Sequence, residues 1–212
     1  MLGLLNSKLS SSVTIIAVSK MQSVAAIRAV YQTGQRAFGE NYVQEAIKKQ
    51  QALSDLNIEW HFIGNIQSNK TKLIAAHFDW VQSVNRLDIA KRLNDHCKVL
   101  HKILNICIEI NIDDSPTKSG VSPKDILSLT KEIGTLKHLK LRGLMVMPDF
   151  VENPEKQYDA FKKAADLQQQ LITQGFLLDT LSMGTSSDYE MAIKAGSNMV
   201  RLGTLIFGER KT

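Results

Sequence analysis

The sequence predicts a single (β/α)₈ (TIM) barrel, and three observations predict it. Eight short apolar runs rich in β-branched residues recur along the 212 residues. Several are continuously apolar rather than alternating, as strands buried on both faces are. Helical patterns with start and stop signals fall between them, and strands alternating with helices make parallel β/α units. Eight such units close into a barrel of typically about 250 residues, so residues 1–212 are expected to form one domain. The alternative is an open doubly wound sheet. It calls for Gly-x-Gly-x-x-Gly after the first strand, and Ser19-Lys20-Met21 supplies none.

The first strand is read at 13–19 (VTIIAVS). Ser23 caps a helix over 24–31, with Gly34 just past its end. A second strand at 36–39 leads into helical spacing over 39–56. The third strand, 59–64 (EWHFIG), precedes a helix from Ser68 to Phe78. A fourth strand at 79–84 is followed by a helix opening at Asn85-Arg86-Leu87-Asp88. The fifth, 103–111 (ILNICIEIN), leads to Ser122-Pro123, a cap with proline at the first helical position. The sixth, 141–147, precedes a long amphipathic run over 155–173 that stops at Gly175. The seventh, 178–184, leads to Ser187-Asp188-Tyr189-Glu190, a capping box whose helix ends at Gly196. The eighth strand is 199–204.

Composition narrows the function. Hydrophobic residues are 43% and charged residues 22% of the chain, too apolar for disorder. No apolar run reaches the ~18 residues of a membrane span, and the opening twelve residues are too short and polar for a secretory signal. Two cysteines, Cys97 and Cys107, make no disulfide framework, so a reducing cytoplasm is expected. The net charge of +5 is spread out, with Lys48-Lys49, Lys91-Arg92 and Lys162-Lys163 read as solvated helix faces. Aromatics are only 6%, so neither nucleic acid nor membrane is expected as a partner. An anionic small ligand stays open.

A parallel α/β barrel carries its site at the carboxyl ends of its strands. Lys20 closes the strongly apolar first strand. Partial desolvation there lowers an amine's pKa and frees it to form a Schiff base with a carbonyl; the plainer alternative is a lysine that reaches out to solvent. Ser182-Met183-Gly184-Thr185-Ser186-Ser187 and Arg201-Leu202-Gly203-Thr204 end strands seven and eight, where barrels often bind phosphate. Hydroxyls of Ser182, Ser186 and Thr204 are candidate donors. A phosphate cradle facing a strand-end lysine is what pyridoxal 5′-phosphate needs. His61 and Asn65 flank strand three, with a hydrogen-bonded core histidine as the plainer account of His61. The histidines and cysteines lack metal-ligand spacing, and no Gly-x-Ser-x-Gly elbow occurs. Cys107 reads as core.

These segments resemble a known family. Ala17-Val18-Ser19-Lys20, the FGENYVQE stretch at 38–45, WHFIGNIQSNK at 60–70, Lys118-Ser119-Gly120, Arg142-Gly143-Leu144-Met145, Leu181-Ser182-Met183-Gly184, Val200-Arg201-Leu202-Gly203-Thr204 and Phe207-Gly208 match in order over about 13–210. The chain resembles the pyridoxal 5′-phosphate homeostasis proteins. The resemblance implies a barrel like the N-terminal domain of alanine racemase, with the cofactor held as an aldimine on Lys20. Ser182, Ser186, Gly203 and Thr204 would cradle the phosphate, Arg201 would face the pyridine nitrogen, and Asn41 would lie near the ring. His61 and Met183 are counted with this set, and Lys118 matches a lysine tied to cofactor exchange.

Departures are visible. Gln22 stands where the family often has a second lysine, Ser23-Val24 replaces a common proline, and Thr185 replaces the usual methionine. Only twelve residues precede the first strand, against a longer helix in the family, so one side of the barrel is expected to be less covered. The resemblance further implies a monomer that buffers or hands over the cofactor, with apo enzymes that use it as partners, and no efficient turnover of amino acids. An arginine at the ring nitrogen weakens the electron sink, and the second acid/base of the racemases comes from a domain not found here. The alternative is a small racemase or lyase using Lys20 with His61 or Tyr42.

Overall fold

In a computed structural model, which describes residues 12–115, 117–149 and 151–209, eight parallel strands pair in chain order and close on themselves. They are β1 (Thr14–Val18), β2 (Ala37–Glu40), β3 (Glu59–Phe62), β4 (Trp80–Val84), β5 (Leu104–Ile110), β6 (Leu139–Val146), β7 (Thr180–Met183) and β8 (Met199–Leu202). Closure is made by β8 against β1, with Ile16 beside Arg201 and Ala17 beside Leu202. The expected barrel is the observed one, and each strand falls within a few residues of its predicted place. The short N-terminal stretch expected to leave one side uncovered lies mostly outside the described residues.

The helices run back along the outside: α1 (Val24–Gln32), α2 (Val43–Ala52), α3 (Thr71–His77), α4 (Leu87–Val99), α5 (Ile126–Gly134), α6 (Pro154–Thr173), α7 (Tyr189–Lys194) and α8 (Thr204–Phe207). Ser23 caps α1 as predicted, accepting from the Ala26 N–H at 3.2 Å. Asn153 caps α6, accepting from the Glu155 and Lys156 N–H groups at 2.9 and 3.1 Å. Four expected starts move, one of them that of α7, whose N-cap is Asp188 without a side-chain capping bond in place of the Ser187 capping box. The stretch after β2 does not become helical until Val43, because residues 39 and 40 belong to the strand. Ser68 opens a 3₁₀ turn instead of capping α3. Ser122 and Pro123 precede α5, whose N-cap is Asp125.

Two apolar layers hold the barrel. Ile16, Ala37, Trp80, Cys107, Met145 and Met199 form a cluster of their own inside it. Phe38, Phe62, Val81, Ile106, Leu144 and Leu181 point the other way, into the shell under the helices. The period of two along each strand separates the sets. Each large apolar side chain fully buried contributes about 1.5–3 kcal/mol. At the end where the strands begin, the Arg142 guanidinium lies 4.6 Å from the Trp80 ring centre and bonds Asp179 at 2.8 Å and Asn105 at 3.0 Å. Beside it Gly143 passes so close to β7 that a Cβ would stand 1.7 Å from the Thr180 carbonyl oxygen, with φ at +157°. Only glycine fits this register shift between β5 and β6.

One expectation is corrected here. Lys49 was expected on a solvated face with Lys48, but it is buried, at 6% exposure. It lies on the inward stripe of α2 with Val43 and Ala46 and reaches carboxylates near the end of β1.

Candidate functional site

A cavity of about 500 Å³ opens at the carboxyl ends of β1, β2, β7 and β8. Of the residues expected at the site, Lys20, Asn41, Ser186, Arg201, Gly203 and Thr204 line it together. Gln22, Thr185 and Ser187 line it as well. Lys118 lines an adjoining cavity. His61, Ser182 and Met183 do not line it: the first two lie inside the barrel in the hydrogen-bond relay that supports Arg201, and Met183 points outward.

Lys20 follows β1 and is half-buried. Its neighbours on both sides are held by one buried ionic cluster. The Lys49 ammonium donates to the Ser19 carbonyl at 2.7 Å, to Glu40 Oε1 at 2.8 Å and to Glu45 Oε1 at 2.6 Å. The Ser19 hydroxyl donates to the same Glu40 oxygen at 2.7 Å, and the Met21 N–H donates to Glu45 at 2.5 Å. Met21 takes a positive φ of 63°, so the chain turns sharply just past the lysine. Burial pushes the Glu40 carboxyl above its usual range, against the pull of Lys49 and Ser19. The lysine backbone is thereby fixed from 19 and 21 by groups that sequence reading had placed on the surface or overlooked.

Arg201 is 4% exposed and points into the barrel from β8. Its Nη1 donates to Ser182 Oγ at 2.6 Å and its Nη2 to the Val146 carbonyl at 2.9 Å. A polar relay continues beneath it. Ser182 Oγ donates to Gln82 Oε1 at 2.6 Å, Gln82 Nε2 donates to His61 Nδ1 at 3.0 Å, and His61 Nε2 meets Glu59 Oε1 at 2.8 Å. His61 is fully buried and stacked on Trp80, ring centres 5.3 Å apart. Burial holds its imidazole below the usual range, opposed by Glu59. His61 and Ser182, expected among the cofactor contacts, are not in the cavity lining: they buttress Arg201 from inside the barrel. Met183, one residue on from Ser182, points outward into the shell and is buried there. Burial lowers the Arg201 guanidinium to about 10, still well above neutral pH.

The loops after β7 and β8 meet across the cavity mouth. Ser186 Oγ accepts from the Gly203 N–H at 3.1 Å and the Leu205 N–H at 3.4 Å. A hydroxyl has two acceptor sites and one donor, so both lone pairs are engaged and the O–H is left for a ligand. Asp188 accepts from the Thr185 N–H at 2.5 Å and from its hydroxyl at 2.9 Å, which fixes the β7 loop. Gly64 keeps Asn41 in place, because a Cβ there would stand 2.2 Å from the Asn41 carbonyl oxygen.

Beyond Asn41 lies the second cavity, about 670 Å³, which shares Asn41, Ile63 and Met147 with the first. Lys118 sits at its edge, bonded to Asp113 at 2.8 Å and Asp149 at 2.9 Å. Burial works against the Lys118 charge, but the two aspartates outweigh it and hold the ammonium above its ordinary range. Glu109, from β5, also lines this cavity. Sequence reading passed over it; the signal was an acid two places after Cys107, on the inward parity of an apolar strand.

The chain is similar to known proteins in sequence and in fold. The family model described as alanine racemase, N-terminal domain, matches residues 3–211. The chain is similar to the pyridoxal phosphate homeostasis protein of Haemophilus influenzae, 49% identical over 204 residues, taking in 94% of this chain and 86% of the relative. It is similar to the protein of the same name from Escherichia coli, 44% identical over 201 residues, with 93% and 86% covered. Among solved structures, PipY of Synechococcus elongatus, determined with PLP bound, aligns with a TM-score of 0.93 and 38% identity over 98% of each chain. An alanine racemase of Clostridium difficile aligns at a TM-score of 0.81 over all of this chain and 59% of its own, at 16% identity, which is a likeness of fold alone.

Proposed function

Since the chain belongs to the pyridoxal phosphate homeostasis proteins, built on the alanine racemase N-terminal domain, we propose that it binds pyridoxal 5′-phosphate in the 500 Å³ cavity, covalently through Lys20, and holds and hands over that cofactor without turning over amino acids. The observation that carries this is the convergence of Lys20, Arg201 and the Thr185–Ser187 and Gly203–Thr204 loops on one cavity. The residues fit the group. The volume is within the usual range of about 300–1,000 Å³ for small-molecule sites. The Lys20 amine suits an aldehyde, with which it condenses by releasing water. The Ser186 hydroxyl, the Thr204 hydroxyl and loop N–H groups suit a phosphate. Arg201, aimed by Ser182, suits an unprotonated ring nitrogen.

The cofactor supplies an electron sink when bound, and this chain does little to strengthen it. Arg201 keeps its proton at neutral pH and cannot take one from the ring. Among the described residues lining the cavity there is no histidine, tyrosine, cysteine, aspartate or glutamate to pair with Lys20 as a second acid/base. The racemase alternative needs His61 or Tyr42. His61 is sealed in the barrel, and Tyr42 lines the neighbouring cavity. Lys118, at the shared wall, is placed to act in exchange. Residues 1–212 are taken as one cofactor-binding unit, acting as a monomer in the cytoplasm, with apo enzymes that use the cofactor as recipients. Two buried, unpaired thiols support the reducing compartment, and no helix among the described residues is long and apolar enough to cross a membrane.

The test is transfer. Loaded protein is mixed with an apo enzyme, and reactivation is followed beside an equal amount of free cofactor. In parallel, amino acids are incubated with loaded protein in D₂O. The proposal expects reactivation to track loss of the Lys20 adduct, with no α-deuteration. Catalytic α-deuteration would put the racemase alternative in its place.

A further inference from the structure

The hydrogen-bond chain inside the barrel runs from the cofactor cavity to the far end of the strands, through Arg201, Ser182, Gln82, His61 and Glu59. The three middle members are fully buried, and Glu59 at the bottom is half-exposed. The direction of each bond can be assigned from its neighbours. A guanidinium only donates, so Ser182 Oγ accepts from Arg201 and its own O–H goes to Gln82 Oε1. A thioether only accepts, and Gln82 Nε2 lies 3.3 Å from the Met199 sulfur as well as 3.0 Å from His61 Nδ1. The amide nitrogen therefore faces His61, and Nδ1 is the acceptor. The ring proton is then on Nε2, which donates to the Glu59 carboxylate at 2.8 Å. That bond holds the Glu59 carboxyl below its usual range. Every donation runs the same way, from Arg201 toward Glu59.

The charged groups acting on His61 are Glu59 on its own strand and Asp79 just before β4, and both favour the imidazolium. Arg142, from β6, acts in turn on Glu59. Burial and the Gln82 N–H aimed at Nδ1 oppose the two carboxylates. Were Nδ1 protonated, Gln82 would have to turn its oxygen toward His61. That oxygen would then face the Met199 sulfur, and the amide nitrogen would face Ser182. Ser182 would meet a donor on each side, Gln82 and Arg201, and its own proton would lose its acceptor in a site closed to water. From this directionality we infer that Gln82 and His61 are positioning residues for Arg201: the amide locks His61 in its neutral Nε2–H form, and the chain so ordered holds the guanidinium, through Ser182, in the pose that faces the cofactor cavity. Neither Gln82 nor His61 lines that cavity, so both act through Ser182.

The inference deepens the proposed function and rests on that reading for its use, whereas the relay's own bonds do not involve the cofactor. The test is nitrogen NMR of the full chain, apo and cofactor-loaded, with His61 identified by its contacts to the Trp80 ring. His61 is expected as the neutral Nε2–H tautomer from about pH 6 to 8, where an ordinary histidine changes charge. Gln82→Glu keeps the acceptor for Ser182 but places a second carboxylate at Nδ1. It should turn His61 into the imidazolium and shift the Arg201 guanidinium resonances. Cofactor release on dilution should be about three- to tenfold faster in Gln82→Glu and in Ser182→Ala, the equivalent of one hydrogen bond. Borohydride should still trap the adduct on Lys20 in both. Phe161→Leu, in the outer shell, controls for lost stability and should move neither the His61 tautomer nor the release rate. Ser182→Ala keeps the test open if Gln82→Glu folds poorly. An Nδ1–H or charged His61 in the wild type would overturn the inference, as would Arg201 resonances and release rates unchanged in both relay variants. The expected tautomer and shifts without any Lys20 adduct would uphold the relay and refute the cofactor reading instead.

Discussion

Replacing Lys49 with methionine should damage both stability and cofactor loading, and the two effects can be separated. Lys49 is 6% exposed and Glu40 is fully buried. The substitution removes an ammonium that bonds Ser19 at 2.7 Å, Glu40 at 2.8 Å and Glu45 at 2.6 Å. Glu40 is left with only the Ser19 hydroxyl on Oε1 and nothing on Oε2. Removing one partner of such a pair costs about 3–5 kcal/mol, which in a chain of this size lowers the Tm by roughly 6–20 °C. A typical stability of about 5–15 kcal/mol leaves most of the folded population intact at 25 °C. The second effect is on Lys20, whose flanking residues lose their anchor. The assay pairs urea unfolding with the rate of borohydride-trappable attachment at Lys20. Lys49→Met/Glu40→Gln removes the stranded charge, so it should recover part of the lost stability while loading stays slow. A single variant that costs under about 1 kcal/mol, the range of a surface pair, and loads at the normal rate would refute the positioning role.

Glu109 should make stability depend on pH. Burial pushes its carboxyl up to about 7 from 4.5, so the folded state keeps a proton that the unfolded state has lost. This contribution is fully present below pH 4.5 and is lost as pH rises through 7, a change of about 3 kcal/mol. The difference between wild type and Glu109→Gln across pH 4–8, read by urea unfolding, should show it; parallel curves would contradict it. Gly64→Ala should push Asn41 aside, cost about 1–3 kcal/mol by overpacking and reduce loading of Lys20, as measured by thermal melting and borohydride trapping. Cys107 is fully buried with its thiol pushed up to about 12 by burial, and burial also raises Cys97. Neither should react with a thiol reagent at pH 8 until the protein unfolds, and mass spectrometry of the labelled protein decides.

The barrel was legible because its strands are doubly buried, and runs such as VTIIAVS have no other economical home. The site's place followed from the fold, since Lys20 and the two glycine- and hydroxyl-rich loops all fall at strand ends. Side-chain direction was harder to read. Ser182 and Met183 are neighbours, so only one can face the axis, and Ser182 faces it. His61 shares that inward parity, but it lies too deep in the barrel to reach the cavity. Lys49 was misplaced because a Lys-Lys pair on a helix looks solvated. Its position three residues from Ala46 and six from Val43, both buried, put it on the inward stripe, and the carboxylates that receive it come from β2 and α2 together. Such a cluster is assembled by tertiary contacts, which spacing along one helix does not reveal. Glu109 was hidden in the same way, by the apolar strand around it.

The most direct test of the central claim is to map where the cofactor attaches. Purified protein is mixed with pyridoxal 5′-phosphate, reduced with borohydride and digested, and the adduct is located by peptide mass, with Lys20→Ala beside it. The account predicts a single adduct on Lys20 that is absent from the variant. An adduct spread over surface lysines, or one that persists in Lys20→Ala, would contradict it.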